Sequence, residues 1–167
     1  MFRSMRRSRQ ALSQKECEHL LNKATSGVLA LSGDEGYPYA LPISFVYDEG
    51  KLYFHSAKSG HKIDAIKKEP KASFCIIDQD TIVPEKYTTY FRSVIAFGKL
   101  SIIEDEQEKY AAIDKLARKY APNDTIENRC NEIQREWQPL CMLVMDIEHL
   151  SGKEAIELVR QKSKEKM

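Results

Sequence analysis

A chain of 167 residues, 42% hydrophobic and 31% charged, has the makeup of a single domain that buries a core of its own. Its 26 lysines and arginines stand against 25 aspartates and glutamates, a net charge of +1 that argues against a protein living on nucleic acid or on an anionic membrane surface. No apolar run approaches the ~20 residues of a transmembrane helix, and four scattered cysteines in no metal-ligand spacing (Cys17, Cys75, Cys130, Cys141) read as plain thiols in a reducing cytoplasm.

The start, Met1 to Arg9, is basic with no apolar stretch behind it, so it is not a secretory signal. It reads as a peripheral tail over residues 1–10, with two other readings open: a nucleic-acid arm, or an arm whose Arg6 or Arg7 folds back over an anionic ligand. Ser13 and Glu16 form a capping box, and Cys17, Leu20, Leu21 and Ala24 follow helical spacing to about Thr25-Ser26-Gly27. Val28 to Leu31 reads as a short strand. Tyr37 to Tyr47 follows, with Tyr39, Leu41, Ile43, Phe45 and Tyr47 on a bulky face and Ala40, Pro42 and Ser44 on a small one. Such a strand suits a barrel wall whose small face receives either a flat ligand or another chain.

Asp48-Glu49-Gly50 turns into a strand ending at His55. The next stretch, Ser56-Ala57-Lys58-Ser59-Gly60-His61-Lys62, leads into a helix that Pro70 stops. Cations at a helix start oppose the helix dipole, so His61 and Lys62 suggest an arriving anion, a phosphate above all. The plainer reading is a surface helix with scattered basic residues. Ala72 to Ile77 is apolar on both faces and reads as a doubly covered central strand. Residues 78–86 read as a long connection able to cover a site.

Thr88 to Ile103 reads as a long strand or a bent strand pair, broken at Gly98. Asp105 to Glu108 reads as a second capping box, leading a helix with the stripe Tyr110, Ile113, Leu116, Ala117 and Tyr120. Pro122 ends it, a polar helix covers about Thr125 to Arg135, and Leu140 to Ile147 is the last strand, ended by Ser151-Gly152. Trp137 and the two tyrosines of the stripe read as packing residues. A short helix then runs into a peripheral, lysine-rich tail over 160–167. The whole reads as one domain over residues 1–167, mainly β with peripheral helices: a small antiparallel barrel.

These segments resemble the flavin-binding split barrels related to pyridoxamine 5′-phosphate oxidase, and among them the 5-nitroimidazole resistance proteins. The resemblance is carried by Met5-Arg6-Arg7, Gly36 to Tyr39, Pro42 to Phe45, Leu52 to Asp64, Lys86 to Gly98 and Ser151 to Ala155. It implies a six-stranded antiparallel split β-barrel and a homodimer with two FMN sites at the subunit interface. It places Pro42, Ile43 and Ser44 along the flavin ring, His55 and Ser56 beside it, His61, Lys62 and Arg92 at the phosphate, and Ser93 near the ring where the oxidase has a glutamine. His55 is the implied catalytic residue. The oxidase's C-terminal arginine and histidine pair is missing from Ser151 to Ala155, which counts against pyridoxamine phosphate as substrate. The implied activity is FMN-dependent reduction of a small acceptor such as a nitroimidazole, with a reduced nicotinamide as donor. The alternatives are a non-catalytic flavin sensor or carrier and, more remotely, a haem or other tetrapyrrole in the same barrel. Neither a nucleic acid nor a membrane is expected as partner.

Overall fold

The computed structural model describes residues 1–165; the end of the lysine-rich tail, Lys166 and Met167, lies outside the described residues. Helix α1 (Gln14–Lys23) begins as its capping box requires: Ser13 Oγ accepts from the Glu16 N–H, and the Glu16 carboxylate accepts from the Ser13 N–H at 2.8 Å. Its buried face is Cys17, Leu20 and Leu21.

Seven antiparallel strands follow: β1 (Ser26–Ser32), β2 (Pro38–Ser44), β3 (Val46–Asp48), β4 (Lys51–Ala57), β5 (Lys71–Val83), β6 (Thr88–Ile102) and β7 (Leu140–Glu154). Their order in the sheet is β2-β1-β5-β6-β7-β4-β3. The two edge strands, β2 and β3, are consecutive in the chain and parted only by Phe45, so one segment runs from one edge of the sheet to the other. The strand expected over Tyr37 to Tyr47 is divided there, which makes seven strands where six were expected. Phe45 is fully buried, and its ring meets Phe74 edge-on at 4.7 Å, with Phe54 edge-on to Phe74 at 5.3 Å. Each such ring contributes about 1.5–3 kcal/mol by leaving water.

Helix α2 (His61–Lys68) lies between β4 and β5. Helices α3 (Glu106–Tyr120) and α4 (Ile126–Glu136) fill the connection from β6 to β7, and α5 (Ile156–Glu165) closes the described chain. The Asp105 side chain caps α3 by accepting from the Gln107 and Glu108 N–H groups.

Three expectations change and one is resolved. Within one chain strand β5 is covered on one face only: Phe74 and Ile76 are buried, but Ile77 is 69% exposed on the outward face. The connection at 78–86 is mostly strand, because after a bulge between Ile77 and Gln79 the ladder with β6 resumes and runs on to Val83 opposite Thr88. Gly98 breaks the register of β6 without ending it: it sits at a shift in the pairing with β7, where the backbone of Asp146 leaves no room for a side chain. Nor does Gly152 end β7. A Cβ there would meet Cys17 Sγ at 2.5 Å and Leu12 Cδ1 at 2.8 Å, so glycine is what lets α1 dock on the strand.

Both chain ends are tied down beyond what the tail readings suggest. Gln10 is buried and donates to the Glu154 carbonyl at 3.0 Å, and Lys162 reaches Glu16 and Glu154 at 2.7 and 2.8 Å. Among the described residues no helix is long and apolar enough to cross a membrane.

Candidate functional site

In β4 the pleat sends Leu52 and Phe54 into the core and turns His55 outward. The chain then turns through Gly60, whose φ of 119° suits glycine and where a side chain would meet nothing within 4 Å. No side chain caps the start of α2. Its first-turn N–H groups are therefore unclaimed by side chains, at the positive end of the helix dipole. Lys62 stands in that turn, half-buried and, among the described residues, with no carboxylate within ion-pair reach. Burial pushes its ammonium pKa down. Burial, followed by the Lys62 charge, also pushes His55 below the ordinary histidine range, which favours the neutral imidazole. His61 is placed differently. Its ring stacks on Tyr39 and its Nε2 faces Asp34 Oδ2 at 3.4 Å.

Ser44, His55, Ser56 and Ala57 form the barrel side of a groove of about 550 Å³. The other wall is Ile113, Leu116, Ala117 and Tyr120 of α3 with Glu132, Ile133 and Glu136 of α4, and Pro139 and Leu140 complete the lining. Tyr120 is positioned by the backbone: its hydroxyl donates to the Thr25 carbonyl and accepts from the Phe45 N–H at 3.1 Å. The groove is a mostly apolar slot with few polar groups, the usual character of a small-molecule site. The stripe on α3 was visible in the sequence, but a stripe alone does not separate a packing face from a groove wall. That α3 and α4 line the site emerges only in three dimensions.

Of the residues singled out by sequence, Ser44, His55 and Ser56 meet in the groove, with Lys62 beside them. Pro42 is exposed on the outward face of β2, whereas the Ile43 side chain packs on the core and leaves only its backbone to a ligand. Arg92 and Ser93 are not brought to the groove. Arg92 is on the side of β6 that also carries buried Val94 and Ala96. Its Nε and Nη1 are held by Glu154 at 3.1 Å and Asp78 at 3.3 Å, and it lines a separate pocket with Leu12, Lys15, Glu16, His19, Leu20 and Lys162. Ser93 points the other way, outward, opposite Ile77 and Lys153. No metal-binding cluster occurs among the described residues.

A family model described as pyridoxamine 5′-phosphate oxidase matches residues 13–154. No curated protein matches the chain. Solved structures do. A candidate 5-nitroimidazole antibiotic resistance protein from Bacteroides thetaiotaomicron is 22% identical with a TM-score of 0.73, covering 86% of each chain. A conserved hypothetical protein, Rv2991, from Mycobacterium tuberculosis is 18% identical with a TM-score of 0.77, covering 90% of each chain. A protein from Mycobacterium smegmatis described as binding FAD and haem is 22% identical with a TM-score of 0.71, covering 88% of this chain and 73% of its own. At these identities the likeness is one of fold.

Proposed function

The chain belongs to the pyridoxamine 5′-phosphate oxidase family, and from that premise we propose that it is an FMN-dependent reductase of a small aromatic acceptor, a nitroimidazole or related nitroaromatic. The observation that carries the reading is the convergence of Ser44, His55 and Ser56 on one apolar groove, beside an uncapped helix start bearing Lys62. The residues suit a phosphorylated flavin. Lys62 and the N–H groups of α2 would take the phosphate dianion, which compensates both the lysine's burial and the helix dipole. Ser44 and Ser56 would offer hydroxyl and strand backbone groups to the ring edge, and the α3–α4 wall an apolar surface. Arg92 is not part of this set, because two carboxylates already hold its guanidinium.

A bound flavin supplies the hydride chemistry, and the chain supplies orientation and electrostatics. His55, held neutral, carries its proton on one ring nitrogen and can donate a hydrogen bond from it to an acceptor's oxygen. The apolar walls limit water around the reacting groups.

The protein is expected to work as a homodimer with the flavin sites at the interface. What supports this is the outward face of the barrel. Pro42, Val28, Cys75, Ile95 and Ser151 lie in one register row across β2, β1, β5, β6 and β7, next to exposed Ile77. A bare apolar sheet face of this kind marks an interaction surface.

The test is the visible spectrum of the purified protein, followed by anaerobic addition of NADH or NADPH and then of a nitroimidazole. Bleaching and reoxidation support the reductase. A flavin spectrum that no nicotinamide bleaches would favour a carrier or sensor, and a Soret band would favour haem.

A further inference from the structure

A group of lysines beside the groove is not used by a single flavin phosphate. We propose that Lys58 and Lys109 form a second anion subsite next to Lys62, one that binds the diphosphate of a dinucleotide. The inference rests on the flavin reading of the groove and extends it.

Three lines of geometry support it. Ala57 pairs with Leu140 and Ser56 with Cys141, so Lys58, one residue further on, follows directly on the part of β4 that lines the groove beside Leu140. Lys109 reaches the same place from α3: it is 9% exposed, with its ammonium 4.0 Å above the Trp137 ring and 3.2 Å from the Trp137 carbonyl. And Lys58, Lys62, Lys67 and Lys109, among the described residues, have no carboxylate within ion-pair reach, so no ion pair within the chain competes with an anion there.

The electrostatics agree. Lys109 is pushed below its ordinary range by burial and next by Lys58, and Lys109, Lys62, Lys58 and Lys67 all act on the same buried thiol, Cys141. Gathering like charges around a buried thiol gains the fold nothing by itself. Lys109 has a structural task, bonding the carbonyl just past α4 and covering Trp137. Lys58 is exposed and has none. The free anion demand therefore falls on Lys58, with Lys109 behind it and the Trp137 ring alongside. A single phosphate on Lys62 leaves them unmatched; a second phosphate in ester linkage to the first, as in a dinucleotide, matches them. The shared chemistry is a nucleotide diphosphate, and its source is either FAD as the cofactor or NADPH as the electron donor.

The experiment is a set of titrations on the full-length protein and on Lys58→Ala, a change at an exposed side chain that leaves the core intact; Lys58→Arg serves as the control that keeps the charge. Riboflavin, FMN and FAD are titrated by flavin fluorescence, NADPH by calorimetry on the FMN-loaded protein, and ADP by calorimetry on the flavin-free protein. If FAD is the source, FAD binds more tightly than FMN, and Lys58→Ala removes about tenfold from FAD affinity while leaving FMN within twofold. If NADPH is the source, FMN and FAD bind alike, and Lys58→Ala weakens NADPH by the same factor. ADP binding is weakened in either case, and Lys58→Arg retains wild-type affinities. Should Lys58→Ala leave FAD, NADPH and ADP all unchanged while FMN still binds, the subsite is overturned and the flavin reading stands. Should no flavin bind, the flavin reading falls; the subsite then survives only if ADP binds and Lys58→Ala weakens it.

Discussion

The imidazole of His61 lies flat on the phenol ring of Tyr39, centroids 4.1 Å apart and planes 15° from parallel. With Asp34 Oδ2 at 3.4 Å from its Nε2, the ring is engaged on its face and at one nitrogen. Lys62, one residue on, has no such partners. The two adjacent cations therefore differ in what they can give an anion. Lys62→Ala is expected to weaken binding of a phosphorylated flavin by about 1.5–3 kcal/mol, the worth of a charged hydrogen bond. His61→Ala should cost less than half of that. Fluorescence titration with FMN checks both, and equal losses would show that His61 leaves Tyr39 to take the phosphate.

His55 should report the phosphate. Burial and the Lys62 charge hold its pKa below the ordinary range in the free protein. A phosphate dianion on Lys62 cancels that charge, and the pKa should rise when FMN binds but not when riboflavin, which lacks the phosphate, binds. Proton NMR titration of the imidazole measures it. A pKa unmoved by FMN would separate His55 from the phosphate site. Turnover of His55→Ala then shows whether the residue acts on the acceptor.

Arg92 is expected to matter for folding and not for flavin. Arg92→Ala leaves the Asp78 and Glu154 carboxylates, 7% and 4% exposed, without their shared partner. Lys23 and Lys162 still reach them, so the loss should lie near the lower end for a broken buried pair, about 3 kcal/mol. Urea unfolding gives the loss. Flavin affinity of the folded fraction should be unchanged.

Acid should loosen the contact between α1 and α5. Lys162 first, and then the Ser13 N–H, lower the Glu16 carboxyl from 4.5 to about 2. A folded pKa below the unfolded one means that this contribution is complete above about 4.5 and is lost as the pH falls from there towards 2. Glu16→Gln should flatten stability against pH in that window and leave it little changed in shape at neutral pH. Thermal melts from pH 6 to pH 2.5 make the comparison.

The outward sheet face should hold two copies together. Ile77→Lys with Ile95→Lys places charges on that face, at side chains 69% and 36% exposed in one chain. Light scattering is expected to show a dimer for the wild type and a monomer for the variant, with near-normal circular dichroism. A wild type that is monomeric and retains flavin at micromolar concentration would overturn the shared site.

Much was legible in the sequence because its signals are local. A capping box depends on four residues, and Ser13 with Glu16 form one. A helix start bearing cations depends on one turn, and Lys62 stands in an uncapped one. Antiparallel strands joined by short connections imply a barrel, and the alternation from Tyr39 to Tyr47 shows which side faces the core. Tertiary structure decided what depends on distant parts of the chain. Arg92 and Ser93 are neighbours in sequence, but a pleated strand sends them to opposite faces, and only the pairing of β6 with β5 and β7 gives Arg92 to Asp78 and Glu154 instead of to a ligand. Gly152 reads as a strand end until Leu12 and Cys17, some 140 residues earlier, are seen to need its empty space. The groove is a property of two helices meeting β4, which no single stretch encodes. Local chemistry is written in adjacent residues. A cavity is the space left between elements, and its shape follows from how the whole chain packs.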